Sequence, residues 1–280
     1  MQKISKVFTR LRSLHLARHI VLIIGAASVL IPFMWMFTTS LQTKAETYAV
    51  QSVIPTSWHW ENYLHAWQSA PFANYYINSL IMSAIIVIGH LAFDAMAAFA
   101  FARLEFPGKK ILFVLLLSAF MVPAFVTVIP MYGIIAQLRW IDTMAALTVP
   151  RLADVFGIIL LRQHFSTIPR ELDEAARIDG CSSLGIFIKV ILPLSKPALA
   201  TLGVFSFLFA WNDFLWPLLV TNAEEMRTIQ IGLSGFVGRY GTSWNYLMAG
   251  TLTSTLPSII IFFFFQKALE RGIASTGLKD

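Results

Sequence analysis

Ionisable side chains inside apolar stretches of the sequence are the first candidates for chemistry. His90 and Asp94 lie four residues apart, and Arg151 and Asp154 lie three apart, each pair within a mostly hydrophobic run. Side chains at these spacings are neighbours on one face of a helix, and pairing reduces the cost of removing both from water. We therefore predict structural pairing within each pair, with contact to a transported solute as the alternative.

A second candidate set combines amides, carboxylates and aromatic rings. Hydrogen-bonding side chains beside aromatic rings suit a solute that offers both hydroxyl groups and apolar faces. The sequence supplies these side-chain types within its apolar stretches, and packing is the alternative role for each. The predicted substrate-pathway residues are Asn78, Asp94, Tyr132, Trp211, Asn212 and Asp213.

The sequence lacks the motifs that carry common enzyme chemistry. It contains no HExxH, no GxSxG, and no GxxxxGK followed by Ser or Thr. Cys181 is the only cysteine, which excludes an intramolecular disulfide, and no clustered Cys and His spacing suggests a metal site. We predict no catalytic residues, no metal and no cofactor for this chain.

Membrane-spanning helices are the elements predicted to position these residues. The chain is 57% hydrophobic and 13% charged, whereas soluble domains carry about 25% charged residues. Runs of about twenty apolar residues match a hydrocarbon core about 30 Å thick. The pattern predicts an all-α, polytopic membrane protein with six transmembrane helices: Ile20–Leu41, Tyr76–Ala102, Ile111–Gln137, Met144–Leu161, Pro197–Val220 and Leu247–Gln266.

The lysines and arginines predict the orientation. Sixteen of the 21 fall in alternate segments between the spans: 1–19, 103–110, 162–196 and 267–280. The positive-inside rule therefore places both termini and the 162–196 loop in the cytoplasm. It also explains the net charge of +6 without nucleic-acid binding. The predicted divisions are a cytoplasmic N-terminal segment 1–19, a six-helix transmembrane domain 20–266 and a cytoplasmic tail 267–280.

Prolines and tryptophans refine the expected spans. Pro123, Pro130 and Pro150 interrupt helical hydrogen bonding within the third and fourth spans. Lipid does not satisfy the freed backbone groups, so these spans are predicted to face protein or a pathway. Trp211 and Trp216 fall in the outer half of the fifth span, where indole rings favour the membrane interface.

Two polar segments are predicted on the side of the membrane opposite to the termini. Segment 42–75 is too polar to cross a bilayer and contains two prolines, so we predict an ordered surface loop with short helices. Segment Thr221–Tyr246 contains four spaced glycines, which favour turns.

The 162–196 loop is predicted to form two short helices joined by a turn. Ser166 or Thr167 suits the first N-cap and Gly180 the first C-terminal stop, while Ser182 and Pro193 bound the second helix. Neither helix is long enough to span, so the loop suits docking of a soluble partner. The predicted apolar faces are Leu172, Ala175, Ala176 and Ile178 in the first helix and Leu184, Phe187, Ile188 and Ile191 in the second.

One motif in this loop resembles a known family. Glu174-Ala175-Ala176, three residues, Gly180, nine residues, then Val190-Ile191-Leu192-Pro193 resembles the EAA loop of bacterial ABC importer permeases. Motifs outside the loop resemble the MalG-type carbohydrate permeases: Ala97–Arg103 with Phe106–Lys109, Ile129–Tyr132, Trp211–Asp213, and Arg271-Gly272 with Gly277-Leu-Lys279.

The resemblance implies a MetI-like, type I permease fold whose loop is a coupling helix seated in a cytoplasmic ATPase. By match, Glu174 pairs with an arginine of the ATPase and Gly180 makes the turn. The tail residues Lys279 and Asp280 would also reach the ATPase, and segment 221–246 would reach a binding protein. The coupling residues carried over are Glu174, Ala175, Ala176, Asp179, Gly180, Leu192 and Pro193.

The implied function is a permease subunit of an ATP-driven carbohydrate importer in a bacterial inner membrane. The implied partners are a MalF-like second permease subunit, two ABC ATPase subunits, an extracytoplasmic solute-binding protein, the sugar and membrane lipid. Two alternatives remain. One is a secondary transporter driven by an ion gradient, with His90, Asp94 and Asp213 as proton or cation sites. The other is an ABC permease for a glycerol phosphoester.

Overall fold

The computed structural model describes residues 2–49, 54–238 and 241–277, with side chains described in 18–49, 54–238 and 241–270. The N-terminal segment 1–19 is therefore described largely as backbone. The predicted ATPase contacts of Lys279 and Asp280 lie outside the described residues. The described residues are helical apart from one hairpin, whose two strands have two residues each, and the segments that connect the helices.

The helices follow one another along the chain with short connections. Widened π turns occur at His90–Asp94 and Phe187–Ile191, and 3-10 turns at Val149–Arg151 and Glu224–Met226. The hairpin pairs β1 (Val237–Gly238) with β2 (Gly241–Thr242) in antiparallel register. The helices are α1 Gln2–Ser40, α2 Lys44–Tyr48, α3 Glu61–Gln68, α4 Phe72–Gly89, α5 Ala95–Arg103, α6 Lys109–Phe120, α7 Ala124–Gln137, α8 Met144–Thr148, α9 Val155–Thr167, α10 Glu171–Ile178, α11 Ser183–Ile186, α12 Leu192–Leu194, α13 Lys196–Trp211, α14 Leu215–Val220, α15 Ile229–Ser234 and α16 Trp244–Gly277.

Three helical stretches in the described residues are long and apolar enough to cross a membrane unbroken: Arg18–Ser40, Phe72–Arg103 and Trp244–Glu270. Three further helix pairs qualify only if each pair is counted as one bent span, which gives up to six spans. The bends measure 98° between α6 and α7, 42° between α8 and α9, and 81° between α12 and α13. The upper count equals the predicted number, but the third bent pair joins Ser183–Leu194 to Lys196–Trp211 and so differs from the predicted fifth span, Pro197–Val220.

Three segments predicted as single helices are broken. Ile111–Gln137 divides before Pro123, which lacks an amide hydrogen and serves as the N-cap of α7. Met144–Leu161 divides after the 3-10 turn that contains Pro150. Pro197–Val220 ends its long helix at Trp211 and resumes as α14.

The chain divides into two compact units, residues 1–70 with 235–253 and residues 71–234 with 254–280. In the first unit, the amide of Asn62 donates to the carbonyl oxygens of Ser40 and Gln42, both at 2.9 Å. Hydrogen bonds from Thr56 and Thr43 hold the pKa of Glu46 to about 2. These contacts, with α2 and α3, confirm the ordered loop with short helices predicted after α1.

The core of the second unit lies where α5 packs against α9 and α13. Small α5 residues, Ala95 and Ala98, are fully buried and let the helices approach closely. Trp211 and Trp216 are also buried, each 1% exposed, and their indole N–H groups donate to backbone oxygens of Ser254 and Ala146. The interface location predicted for these two tryptophans is therefore wrong, because their rings fill protein core.

Candidate functional site

The 162–196 loop begins at the end of α9. The hydroxyls of Ser166 and Thr167 donate to the carbonyl oxygens of Arg162 and His164, both at 2.8 Å, so both residues belong to the last turn of α9. Arg170 is the N-cap of α10, and its side chain makes no capping bond in the described structure. The predicted Ser166 or Thr167 cap is wrong, because the preceding helix already uses these hydroxyls.

The turn between the loop helices has the geometry that glycine permits. Gly180 has φ of +82°, in the left-handed region, and the amide of Cys181 donates to the carbonyl oxygen of Ala176 at 2.9 Å. The hydroxyl of Ser182 then accepts from the amide of Gly185 at 3.2 Å and caps the second helix. These contacts reverse the chain within a few residues.

The second helix continues slightly beyond its predicted end. Pro193 lies within the first two residues of α12, where its missing amide removes no bond of that helix, and helical structure runs to Leu194. The chain bends by 81° at Ser195 and enters α13. The prediction that Pro193 ends the helix is therefore wrong by one residue.

The inner face of the loop is packed against the spans. Ile186, Phe187 and Ile191 are buried in one hydrophobic cluster with residues of α5 and α9. The ring of Phe187 lies 5.1 Å from that of Phe99 on α5. Displacing the second loop helix therefore displaces core side chains of the spans, because close-packed interiors transmit strain.

A buried ion pair ties the first loop helix to α5. Arg103 Nη1 lies 3.5 Å from Asp173 Oδ2, with the side chains 3% and 12% exposed. Nη2 of Arg103 also donates to the carbonyl oxygen of Ile168 at 2.6 Å. Sequence reasoning missed this ion pair between α10 and α5. The available signal was that Asp173 lies three residues before Ala176, so the two share the buried face of α10.

The outer face of the loop is exposed. Glu174 and Ala175 are exposed, while Leu172, Ile178 and Leu184 are 42%, 87% and 62% exposed. Of the four residues predicted as the apolar face of the first helix, only Ala176 is buried in this chain, so the docking of that face on a soluble partner stays a prediction. Of the coupling residues, Glu174, Ala175, Asp179, Gly180 and Pro193 are exposed, Leu192 is half-buried and Ala176 is buried.

The predicted pairing of His90 with Asp94 is wrong. His90 Nε2 donates to the carbonyl oxygen of Arg151 at 2.8 Å, and its Nδ1 lies 2.7 Å from Ser206 Oγ. Asp94 Oδ1 accepts from the amide of Asp154 at 2.9 Å. The reason is the break before α9, whose exposed backbone groups need partners at membrane depth and obtain them from these side chains.

Arg151 also pairs differently from the prediction. Its Nη2 lies 3.1 Å from Asp213 Oδ2, and its guanidinium carbon lies 5.1 Å from the centre of the Phe209 ring. Asp154 has extended backbone, with φ of −135° and ψ of 136°. The helical three-residue spacing that would pair Asp154 with Arg151 is therefore absent, and the actual ion pair joins the break before α9 to the break after α13.

The six predicted substrate-pathway residues do not converge. Asn78 donates to the carbonyl oxygens of Glu225 and Arg227, at 2.7 and 3.0 Å, and fixes the segment before α15. Tyr132 lies on α7 and is 38% exposed. The side-chain amide of Asn212 donates to the carbonyl oxygen of Leu208 at 2.8 Å. Asp94, Trp211 and Asp213 make the contacts described above. Packing or local bonding accounts for most of these side chains.

A cleft of about 310 Å³ in the second unit combines polar groups with aromatic rings. His90, Asp154 and Ser206 supply the polar groups. Four phenylalanines and a leucine complete its lining: Phe120, Phe156, Phe205, Phe209 and Leu202. We name it the pathway cleft. Sequence reasoning missed its rings because nothing distinguishes them among the 23 phenylalanines of the chain.

The described residues contain no cluster of three or more His, Cys, Asp or Glu that could hold a metal ion. The candidate sites among the described residues are the exposed face of the loop, anchored on the spans, and the pathway cleft.

Comparison with known proteins agrees with this geometry. The family model described as "Binding-protein-dependent transport system inner membrane component" matches residues 91–275. The chain is 37% identical over 250 residues to "Probable ABC transporter permease protein YurM" of Bacillus subtilis (strain 168), which covers 89% of this chain and 83% of that protein. It is 35% identical over 267 residues to "sn-glycerol-3-phosphate transport system permease protein UgpE" of Escherichia coli O1:K1 / APEC, covering 92% and 95%.

A solved structure gives the same fold. A chain in the crystal structure of a bacterial ABC transporter involved in import of the acidic polysaccharide alginate superposes with a TM-score of 0.81. The alignment covers 92% of this chain and 97% of that chain at 24% identity. The chain belongs to the family of binding-protein-dependent transport system inner membrane components, and it is a permease subunit of an ABC importer.

Proposed function

We propose that this chain and a second, MalF-like permease subunit form the transmembrane pathway for a neutral carbohydrate, driven by two separate ABC ATPase subunits. The observation that carries the proposal is the loop 162–196, which presents Glu174 on an exposed face while its opposite face is fixed to the spans. A secondary transporter has no use for such a loop. The family assignment also disfavours that alternative.

The proposed orientation puts both termini and the loop in the cytoplasm, where ATP is available. Its support is the distribution of lysine and arginine, sixteen of which fall in the segments on that side. The opposite side carries segment 221–246, which we assign to contact with an extracytoplasmic solute-binding protein. The name of the family, binding-protein-dependent transport, supports such a partner.

Coupling follows from the two fixed contacts of the loop. A moving ATPase that engages Glu174 displaces α10, and Asp173 on the same helix carries Arg103 and the end of α5 with it. The second loop helix moves the same core through Phe187. Because Asp173 and Phe187 both contact α5, at Arg103 and Phe99, the loop can act as a rigid body that changes the side to which the pathway opens.

The lining of the pathway cleft favours a neutral sugar over a phosphoester. Asp154 is the one carboxylate, and no lysine or arginine occurs among the residues that line it. The guanidinium of Arg151 lies over the ring of Phe209, one of the lining residues, but its charge is paired with Asp213. A phosphate group would meet a like charge here, whereas hydroxyls can bond to Asp154 and Ser206 beside aromatic rings.

The test is ATP-dependent uptake into vesicles that contain the assembled importer, with Glu174→Ala compared against Glu171→Ala. Both glutamates are exposed on α10 and both variants remove one negative charge. We expect Glu174→Ala to abolish uptake and to weaken retention of the ATPase subunits on purification. Glu171→Ala should preserve both.

The same vesicles are supplied with labelled neutral sugars and with sn-glycerol 3-phosphate. Uptake of a neutral sugar agrees with the assignment of substrate class, whereas uptake of the phosphoester alone contradicts it. Uptake that continues without ATP and follows an imposed ion gradient would overturn the coupling proposal itself.

A further inference from the structure

A second cavity, separate from the pathway cleft, lies where α5 ends and α6 begins. Its volume is about 630 Å³, and it is lined by the segment after α5, by the first turn of α6 and by Arg162 of α9. Neither the coupling mechanism nor the transport pathway uses these side chains.

The cavity has an excess of positive charge. Lys109 Nζ donates to Glu105 Oε1 at 3.1 Å and to the carbonyl oxygen of Leu104 at 2.6 Å, so the one acid of the lining is already paired. Lys110 and Arg162 remain without a carboxylate in the cavity. The N-terminus of α6 lies here too, with no acidic residue in its first turn. Helix N-termini favour anions, and lysines at such a position add to the positive potential.

Arg162 brings a guanidinium charge to the wall of the cavity. Its guanidinium carbon lies 4.1 Å from the centre of the Phe113 ring. Its Nε is enclosed by protein, so the side chain offers a ligand in the cavity its positive charge rather than this donor.

The wall beside these charges is apolar and continues along α6. The ring centre of Phe101 lies 5.5 Å from that of Phe113 and 6.1 Å from that of Phe106. Beyond them, Ile111 and Leu115 on α6 are 68% and 59% exposed. The ligand therefore has an anionic end at the helix terminus and an apolar part along a span, which describes an amphiphile rather than free phosphate.

We propose that this cavity binds the headgroup of an anionic phospholipid, with the phosphate near Lys110 and Arg162 and an acyl chain along the exposed face of α6. Basic pockets at the ends of membrane helices bind such headgroups, and each lysine or arginine near the surface contributes about 1 kcal/mol. The phosphate accepts from donors that the chain leaves open.

The probe is phosphatidylglycerol, presented to the purified complex in phosphatidylcholine vesicles with and without it. Native mass spectrometry counts retained lipid, and thermal unfolding reports stabilisation. We expect wild-type complex to retain phosphatidylglycerol in preference to phosphatidylcholine and to unfold at a higher temperature when it is present. Lys110→Gln combined with Arg162→Gln should weaken retention about thirtyfold and abolish the temperature shift.

Lys44→Gln combined with Lys267→Gln is the control, since it removes the same charge at exposed positions outside the cavity. It should retain phosphatidylglycerol like wild type. Equal retention by the cavity variant and the control would overturn the proposal, as would wild-type complex without lipid preference. Displacement of the lipid by inorganic phosphate at similar concentration would also overturn it, because the site would then bind the free anion.

Discussion

Arg103 and Arg151 each pair with an aspartate in the second unit, yet the two ion pairs are held in different ways. Arg103 and Asp173 are 3% and 12% exposed, and Arg103 also donates to the backbone of Ile168 at 2.6 Å. Arg151 and Asp213 are 20% and 14% exposed, and the additional contact of Arg151 is the face of the Phe209 ring. The guanidinium of Arg103 is fixed to backbone, whereas that of Arg151 contacts side chains, and the backbone bond of its pair is the amide of Trp216 donating to Asp213 Oδ1 at 3.4 Å.

The difference bears on how movement would pass through the permease. The Arg103 pair joins α10 of the loop to the end of α5, and its backbone bond leaves little freedom for α10 to move independently. The Arg151 pair joins two helix breaks, and cation–π contacts tolerate displacement better than a directed hydrogen bond. We therefore expect the first pair to act as a rigid joint and the second to permit rearrangement around the pathway cleft.

Removing the ion pair of Arg103 and Asp173 is expected to have the largest effect on stability and uptake. Arg103→Ala leaves Asp173 charged and buried without its partner, which costs about 3–5 kcal/mol. The assembled complex should unfold at a markedly lower temperature and lose sugar uptake. Arg170→Ala, which removes an exposed arginine beside α10, is the matched control and should leave both unchanged.

A double variant separates stability from coupling in this joint. Arg103→Ala with Asp173→Ala removes both partners, so no unpaired charge remains and part of the lost stability should return. Uptake should stay low, because α10 is no longer tied to α5. If uptake returned together with stability, the pair would be a packing feature and the joint would lie elsewhere.

The second ion pair should show a smaller effect. Asp213→Asn leaves Arg151 without its counter-charge and should cost about 2–3 kcal/mol, less than Arg103→Ala because the paired side chains are more exposed. A double-mutant cycle with Arg151→Gln, read from thermal unfolding, should give a coupling energy of about 0.5–3 kcal/mol. A coupling energy of zero would mean that the pair does not contribute in the assembled complex.

Features set by local sequence were the predictable ones. The reversal at Gly180 needs only a residue that tolerates positive φ, and the Ser182 cap needs only a hydroxyl before a helix. The apolar segments follow from composition, because a bilayer requires about twenty apolar residues. The family followed from the spacing of the EAA motif, which relatives and the family model then confirmed.

Features that depend on other elements were not predictable. The partners of His90, Arg103 and Arg151 are decided by where two helices break and by which backbone groups those breaks expose. Spacing along one helix carries no information about such breaks. Trp211 and Trp216 were misassigned for a related reason, since an indole suits a buried site with a carbonyl acceptor as well as it suits a membrane interface.

The smallest predicted loss of stability comes from a substitution at Gly157 on α9, close to the ion pair of Arg151 and Asp213. A Cβ at Gly157 would overlap Oδ2 of Asp94 and lie 2.9 Å from Cδ1 of Leu202. Asp94 cannot retreat without losing the amide of Asp154, so Gly157→Ala should cost about 1–2 kcal/mol through overpacking. Gly133→Ala on α7 is the control, because a Cβ there meets nothing within 4 Å, and it should not destabilise the complex.

Combining Gly157→Ala with a variant in each ion pair distinguishes the two joints. The substitution forces the start of α9 away from the π turn that carries Asp94, which should already strain the neighbouring Arg151 pair. Its cost should therefore be non-additive with Asp213→Asn and additive with Asp173→Asn, because neighbouring sites couple and distant ones do not. Thermal unfolding of the single and combined variants measures this, and equal additivity with both would remove the basis for treating the Arg151 pair as the one that rearranges.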